Sequence, residues 1–257
     1  MTLIRKDIQN IETYKPGKPI EEVERELGIR GVIKLASNEN SIGPPAKAVL
    51  AIERALKALN RYPDGDCFYL KRRLAEKLSV GAANLAFGNG SDEILDLAAK
   101  AFLNPGQDEV ITADTTFLEY KITAQVFGVK VKEIPLRNFK YDLKAIMSAI
   151  TKRTKAIFIA NPNNPTGTYV NVVEFDSFLG AIPENIIIVY DEAYEEFVDK
   201  ADFPRGLTYL GGRKNFIVLK TFSKLYGLAG LRIGYAVADK ELIGAMNRVR
   251  QPFNVNS

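Results

Sequence analysis

The segment TFSKLYGLAGLRIGY, residues 221–235, places a lysine, a serine and an arginine in one glycine-containing stretch. Ser223 and Lys224 follow an apolar run, and Arg232 comes eight residues after Lys224. A solvated surface position is the usual fate of a lysine, because its charged head group is rarely buried. The alternative is a reactive amine beside an anion-binding arginine, and the rest of the sequence has to distinguish the two.

The residue types that the chain lacks narrow the possible chemistry. Its 257 residues include no histidine and a single cysteine, Cys67. The chain by itself therefore cannot form a Ser-His-Asp triad, a Cys-His pair, a histidine-ligated zinc site or an intrachain disulfide. An enzyme built on this chain would have to move protons with lysine, tyrosine or carboxylate groups.

Charge and hydropathy exclude further classes of function. The net charge is +4, the basic residues are interleaved with acidic ones, and no basic cluster carries aromatic residues, which argues against nucleic-acid binding. The first ten residues lack the apolar core of a signal peptide, and no apolar run is long enough to span a membrane. With one cysteine, these features predict a cytoplasmic protein without a membrane partner.

From residue 85 onward, apolar strand-like runs alternate with amphipathic helical segments. This alternation predicts an α/β fold with a mainly parallel central sheet, and continuous apolar runs such as NIIIVY, residues 185–190, predict that helices cover both faces. Residues 1–35 are polar and irregular and predict an N-terminal arm, whereas residues 36–257 would form the main domain. Ser91 is predicted to cap the helix after the first strand.

Four predicted strands end in residues that can do chemistry. They are followed by GNGS (88–91), NPNNPTG (161–167), DEAY (191–194) and TFSK (221–224). Each loop alone has a purely structural explanation as a tight turn, a rigid loop, a helix cap or a solvated lysine. The carboxyl ends of parallel strands meet at one edge of a sheet, however, and α/β proteins bind ligands there. The four loops together therefore predict one binding site.

The set of groups in these loops suits pyridoxal phosphate as a cofactor. Lys224 would bond covalently to it and, once released by substrate, would move a proton, which answers the absence of histidine. Ser223, Arg232 and the turn at Gly90 and Ser91 would hold the phosphate.

The remaining groups would bind the cofactor ring. Asp191 would keep the pyridine nitrogen protonated, so that the ring accepts electrons. Asn164 and Tyr194 would hydrogen-bond the ring oxygen and keep it anionic. We therefore predict Lys224, Asp191 and Tyr194 as the catalytic residues and no metal site.

Six segments occur in the order and spacing of the fold-type I pyridoxal-phosphate aminotransferases and resemble their motifs: LASNEN, RYPDG, GNGSDE, NPNNPTG, YDEAYEEF and TFSKLYGLAGLRIGY. YKPGKPIEEVERELG, RYPDG and RQPFNVNS resemble the histidinol-phosphate aminotransferase branch. The resemblance implies the large-domain fold of this class, a homodimer and histidine biosynthesis. It also implies transfer of an amino group between glutamate and imidazole acetol phosphate, a phosphorylated compound.

The resemblance also implies roles for residues outside the four loops. The backbone at Asp92 joins the phosphate site, and Phe117 stacks on the cofactor ring. Tyr62 reaches the phosphate in the neighbouring subunit. Tyr14 and Asn40 lie on the substrate side.

The chain departs from the family in two ways. Ser41 and Thr115 stand where the family usually has proline. The family also continues beyond the segment that matches residues 250–257 into a small C-terminal domain with an arginine for the substrate carboxylate, so we expect this small domain to be missing. Whether the chain alone is active stays open.

Two alternatives share the same cofactor site, namely a threonine-phosphate decarboxylase and an aromatic aminotransferase. A third, from a different class, is a truncated cofactor-binding module without catalytic activity. The cofactor residues do not separate these alternatives. Release of carbon dioxide would indicate the decarboxylase, and a keto product with glutamate formed or consumed would indicate an aminotransferase.

Overall fold

The computed structural model of the chain describes residues 3–9, 11, 14 and 16–256. These residues include a seven-stranded sheet with helices packed against it. The strands are β1 (Leu85–Asn89), β2 (Glu109–Ala113), β3 (Lys130–Ile134), β4 (Thr154–Ala160), β5 (Ile187–Asp191), β6 (Phe216–Thr221) and β7 (Ile233–Ala238). The helices are α1 (Ile20–Leu27), α2 (Ala46–Ala55), α3 (Phe68–Leu78), α4 (Gly90–Phe102), α5 (Glu119–Val126), α6 (Leu143–Ser148), α7 (Val172–Ala181) and α8 (Lys240–Val249).

The strands are ordered β1-β7-β6-β5-β4-β2-β3 across the sheet. Strands β2 to β6 run parallel, whereas β7 is antiparallel to both of its neighbours, β1 and β6. Because two reversals restore the direction, β1 runs the same way as β4, β5 and β6. The predicted mainly parallel sheet is therefore confirmed, and the loops after these four strands lie at one edge. The start of β7 reaches the same edge and brings Arg232 there.

The central strands are covered on both faces. All residues of β5 and β6 are buried, and successive side chains of a strand point to opposite faces. On one of these faces the rings of Phe175 and Tyr190 pack with centroids 4.6 Å apart, and those of Tyr190 and Phe216 with centroids 5.6 Å apart. Each such buried aromatic side chain contributes about 1.5–3 kcal/mol of hydrophobic stabilisation. The sheet is thus a rigid base for the loops at its edge.

Helix α4 starts at the same edge, immediately after β1. Gly90 is its first residue and has a φ of +79°, and the backbone N–H of Asn89 donates to Glu93 Oε2 at 2.5 Å. Ser91 therefore lies inside the first turn, and the prediction that it caps the helix is wrong. The physical reason is that glycine makes the tight turn from strand to helix: a Cβ on Gly90 would lie 2.4 Å from the guanidinium of Arg232.

The segment before the sheet contains a short helix. Helix α1 covers Ile20–Leu27 and ends at Gly28, which has a φ of +66°. Glu24 Oε1 accepts from the N–H of Gly31 at 2.7 Å and ties the outgoing chain to the helix. In the part of the chain that the structure describes, no helix has the length and apolarity needed to cross a bilayer.

Candidate active site

An open cavity of about 220 Å³ lies at the carboxyl edge of the sheet, between the four loops. Most of the residues predicted from the sequence line it: Tyr14, Ser91, Asp92, Phe117, Asn164, Asp191, Tyr194, Ser223, Lys224 and Arg232. The convergence follows from topology, because parallel strands deliver their carboxyl ends to the same place. Gly90 lies next to the guanidinium of Arg232, whereas Tyr62 and Asn40 are not among the lining residues.

Lys224 is half-buried and lines the cavity with its amine close to two other chain segments. Its Nζ donates to the backbone carbonyl of Ser37 at 3.1 Å and lies 5.6 Å from the ring centroid of Tyr194. Among the described residues, no carboxylate lies within ion-pair distance of Lys224. Its amine is therefore held by a neutral acceptor and is not committed to a salt bridge.

Asp191 is buried at the end of β5, between two hydrogen-bond donors. Its Oδ2 accepts from the hydroxyl of Tyr120 at 2.7 Å, and its Oδ1 accepts from the N–H of Ala193 at 2.9 Å. Burial raises the pKa of Asp191 to about 6, although these hydrogen bonds and nearby Lys224 act in the opposite direction. A cationic N–H group in the cavity would stabilise this carboxylate in its ionised form.

Tyr120 was not predicted from the sequence, although it contacts Asp191 directly. Its side chain is fully buried, and its ring packs edge-on against Phe117, with centroids 5.5 Å apart. Phe117 lies in the turn before α5 and accepts from the N–H of Tyr120 at 3.3 Å, and this three-residue spacing is the signal that could have indicated Tyr120. Glu119, between them, also lines the cavity, and burial together with the nearby carboxylates of Asp92 and Asp96 raises its pKa.

The loop after β4 uses its three asparagines differently. Asn161 is buried and bonds to Tyr190 and to the backbone of Val170, so it anchors the loop to the core. Asn163 is also buried, and its amide bonds to the backbone of Thr115 and to a loop hydroxyl. Asn164 lines the cavity. The first two asparagines therefore fix the backbone that presents the third.

The segment LASNEN, residues 35–40, contacts the side chains of Lys224 and Tyr194. The carbonyl of Ser37 accepts the hydrogen bond from Lys224, and the amide of Asn38 donates to the hydroxyl of Tyr194 at 2.9 Å. Asn40 is engaged elsewhere: its amide donates to the carbonyl of Leu225 at 2.8 Å. Neither Ser37 nor Asn38 was predicted from the sequence, where nothing places this segment over the loops after β5 and β6.

The other end of the cavity is suited to an anion. The guanidinium of Arg232 lies next to the first turn of α4, whose N–H groups have no partners within the helix. Arg232 Nη2 donates to Asp92 Oδ2 at 3.1 Å, and the N–H of Gly90 donates to the carbonyl of Arg232 at 2.9 Å. Gly234 allows this approach, because a Cβ there would lie 2.6 Å from the backbone nitrogen of Ser91.

Tyr62 lies outside this cavity. Its side chain is 82% exposed and stacks on Phe253, with ring centroids 4.8 Å apart. Its hydroxyl is therefore accessible to another molecule, and its predicted role across a subunit boundary stays a prediction.

The chain belongs to the aminotransferase class I and II family, whose model matches residues 30–257. It is 53% identical to a histidinol-phosphate aminotransferase of Moorella thermoacetica, over 98% of this chain but only 65% of the relative. Among solved structures, it resembles histidinol-phosphate aminotransferase from Sinorhizobium meliloti in complex with pyridoxal-5'-phosphate, with 28% identity, 99% and 68% coverage of the two chains and a TM-score of 0.89. It also resembles L-threonine-O-3-phosphate decarboxylase from Porphyromonas gingivalis, with 26% identity, 83% and 65% coverage and a TM-score of 0.72.

Proposed function

We propose that the cavity binds pyridoxal phosphate, with Lys224 as the covalent attachment residue. The convergence of one uncommitted amine, one buried carboxylate and one anion-binding end in a single cavity is the observation that carries this proposal. The donor set fits the cofactor from end to end. Asp191, whose burial disfavours its charge, would gain a cationic partner in the pyridinium nitrogen. The guanidinium of Arg232 and the start of α4 would receive the phosphate.

The other residues would complete the binding of the ring and the phosphate. Asn164 and Tyr194 would donate to the ring oxygen, and Phe117 would stack on the ring. Ser223, Ser91 and the backbone N–H of Asp92 would hold the phosphate together with Arg232. Gly90, whose N–H is bound to the carbonyl of Arg232, would contribute the tight turn that lets the phosphate approach the start of α4. On phosphate binding, Arg232 would exchange its contact with the Asp92 carboxylate for one with the phosphate. The two bonds that fix Asp191 would keep its carboxylate oriented for the ring nitrogen.

The proposed reaction is transfer of an amino group between glutamate and imidazole acetol phosphate, a step of histidine biosynthesis. When bound, pyridoxal phosphate supplies a ring that accepts electrons from a bond at the substrate Cα. Lys224 Nζ would move the proton at that Cα, in agreement with the absence of histidine from the chain. Tyr14, at the cavity wall, would contact the substrate, and so would Asn40 if its amide exchanged the carbonyl of Leu225 for the substrate.

The proposal for the whole protein also includes its assembly and compartment. We propose a homodimer in which the exposed Tyr62 reaches the cofactor phosphate of the partner subunit. We also propose a cytoplasmic location, with residues 1–35 as an arm on a large domain formed by residues 36–257. The chain spans 65% of the length of its Moorella relative, so the aminotransferase activity is a proposal for the whole protein.

An assay of the chain loaded with pyridoxal phosphate tests the reaction. Histidinol phosphate and 2-oxoglutarate are the substrates, glutamate is the measured product, and Lys224→Ala is the control. Glutamate formed only by the unmodified chain supports the proposal. Carbon dioxide from threonine phosphate, or glutamate only with aromatic amino acids, would assign one of the related activities instead. Bound cofactor without turnover of any of these substrates would instead favour the third alternative for this chain, a cofactor-binding module without catalytic activity.

A further inference from the structure

A buried ionic cluster lies behind the cavity, and the proposed chemistry does not use it. Its centre is Lys220 on β6, whose side chain is 6% exposed. The ammonium lies 2.8 Å from Glu195 Oε2, 3.4 Å from Glu192 Oε2 and 3.9 Å from Glu196 Oε1. One ammonium is thus shared by three carboxylates, of which that of Glu192 is the most deeply buried.

The cluster has further partners at its rim. The guanidinium of Arg205 contacts Glu195, and the N–H of Gly206 donates to Glu192 Oε1 at 2.6 Å. Burial raises the pKa of Glu192, and the attraction of Lys220 opposes this rise. Apolar side chains in such a place often stabilise a fold as well as a buried ion pair does. Stability alone therefore does not explain why this place in the fold holds an ionic cluster.

The position of the cluster suggests this role. Strands β5 and β6 pair in parallel, with Asp191 opposite Leu219. Because side chains alternate along a strand, Thr221 faces the cavity and Lys220 lies on the other face of the sheet. The three glutamates belong to the segment 192–196, which directly follows Asp191 and includes Tyr194. The cluster thus joins two chain segments that carry cavity residues.

We propose that Lys220 is a positioning residue of the cofactor site. By holding Glu192 and Glu195, its ammonium fixes the segment 191–194 against the strand that leads into Lys224. The ring-binding groups and the attachment amine are thereby kept at their relative positions without any contact between Lys220 and the cofactor. This inference rests on the proposed pyridoxal phosphate site and adds to it a residue on the opposite face of the sheet.

A second ion pair in the same sheet provides a matched control. Lys132 Nζ lies 3.0 Å from Glu109 Oε1, and the side chain of Glu109 is 4% exposed. This pair joins β2 and β3 at the far side of the sheet, and neither residue lines the cavity. Lys132→Met therefore removes a lysine from a buried carboxylate, as Lys220→Met does, but leaves the cofactor site alone.

The experiment is a titration of the wild-type chain and its variants with pyridoxal phosphate, at a temperature where circular dichroism shows each to be folded. The dissociation constant and the position of the bound cofactor's visible absorbance band are measured. For Lys220→Met we expect a dissociation constant raised at least about tenfold and a displaced band. Lys220→Arg, which keeps the charge, should restore most of the affinity, and Lys132→Met should behave as wild type in both readouts.

The same titration can overturn the proposal. If Lys220→Met and Lys132→Met lose stability but bind with wild-type affinity and an unchanged band, Lys220 supports only the fold. If Lys220→Met does not fold, Glu192→Gln replaces it, because this change keeps the side-chain volume and the acceptor for Gly206. A raised dissociation constant is then expected, and a wild-type value refutes the inference. A wild-type chain that binds no pyridoxal phosphate instead contradicts the proposed function itself, and this inference with it.

Discussion

Replacing Asp191 by asparagine should make the cofactor-free protein more stable, relative to wild type, as pH rises from acid to neutral and alkaline values. Burial raises the pKa of Asp191 from 3.8 to about 6, against the opposing hydrogen bonds from Tyr120 and Ala193. Because the folded-state pKa lies above the unfolded value, ionisation of this carboxyl disfavours the fold. The penalty is absent below pH 3.8, grows up to about pH 6 and is complete above it. At about 1.4 kcal/mol per pKa unit, its full size is about 3 kcal/mol.

Urea unfolding of the cofactor-free wild type and Asp191→Asn at two pH values measures this penalty. Both proteins share all other titrating groups, so the difference between their unfolding free energies isolates Asp191. About 1 kcal/mol of the penalty is already present at pH 4.5. From pH 4.5 to pH 8 the difference should therefore change by about 2 kcal/mol in favour of the variant. Any constant effect of the new amide cancels in this comparison.

Glu109→Gln is a control with the opposite sign. The pKa of Glu109 lies below its usual value, although this side chain is also buried. Burial acts to raise the pKa, but hydrogen bonds from Thr151, Thr154 and Lys132 act in the opposite direction and outweigh it. Its ionised carboxylate therefore stabilises the fold, and Glu109→Gln should lose stability relative to wild type as pH rises. A difference for Asp191→Asn that does not depend on pH, or that follows the direction of Glu109→Gln, would refute the reasoning.

Two further substitutions test the groups around Asp191 and the anion-binding end. Tyr120→Phe removes a donor from the buried carboxylate and should cost about 1–3 kcal/mol at pH 8 but less at pH 4.5, where the carboxyl is protonated. Equal losses in urea unfolding at both pH values would contradict this. Gly234→Ala places a Cβ 2.6 Å from the nitrogen of Ser91 and should weaken binding of pyridoxal phosphate at least about tenfold. Gly230→Ala meets no heavy atom within 4 Å and should bind normally, so equal affinities of these two variants would refute the phosphate site.

The architecture of the sheet could be predicted because strand and helix patterns alternate regularly, and each apolar run became a strand. The direction of β7 was not predicted from its own residues, which are as apolar as those of its neighbours. The signal lies in the connection: the residues between β6 and β7 form only a short 3-10 turn, Ala229–Leu231, and a parallel crossover usually needs a longer segment with a helix. The reversed strand places Arg232 at the edge where the cofactor is proposed to bind.

The position of the cavity could be predicted in outline. The carboxyl ends of parallel strands lie at the same edge of a sheet, and this holds for any order of the strands. Contacts between residues that are far apart in the sequence could not be predicted, because they depend on how the fold places the two segments. The hydrogen bond from Asn38 to Tyr194 spans 156 residues of sequence, and the one from Tyr120 to Asp191 spans 71. Residue type alone also could not separate Asn164, which lines the cavity, from Asn163, which holds the loop.

Mapping of the covalently attached cofactor tests the central claim most directly. The protein is incubated with pyridoxal phosphate, reduced with borohydride, digested and analysed by mass spectrometry. We predict one dominant adduct, on Lys224, and none on Lys220, which is nearby in sequence but buried in its ionic cluster. Adducts spread over exposed lysines, or no adduct at all, would contradict the assignment of Lys224 as the attachment residue.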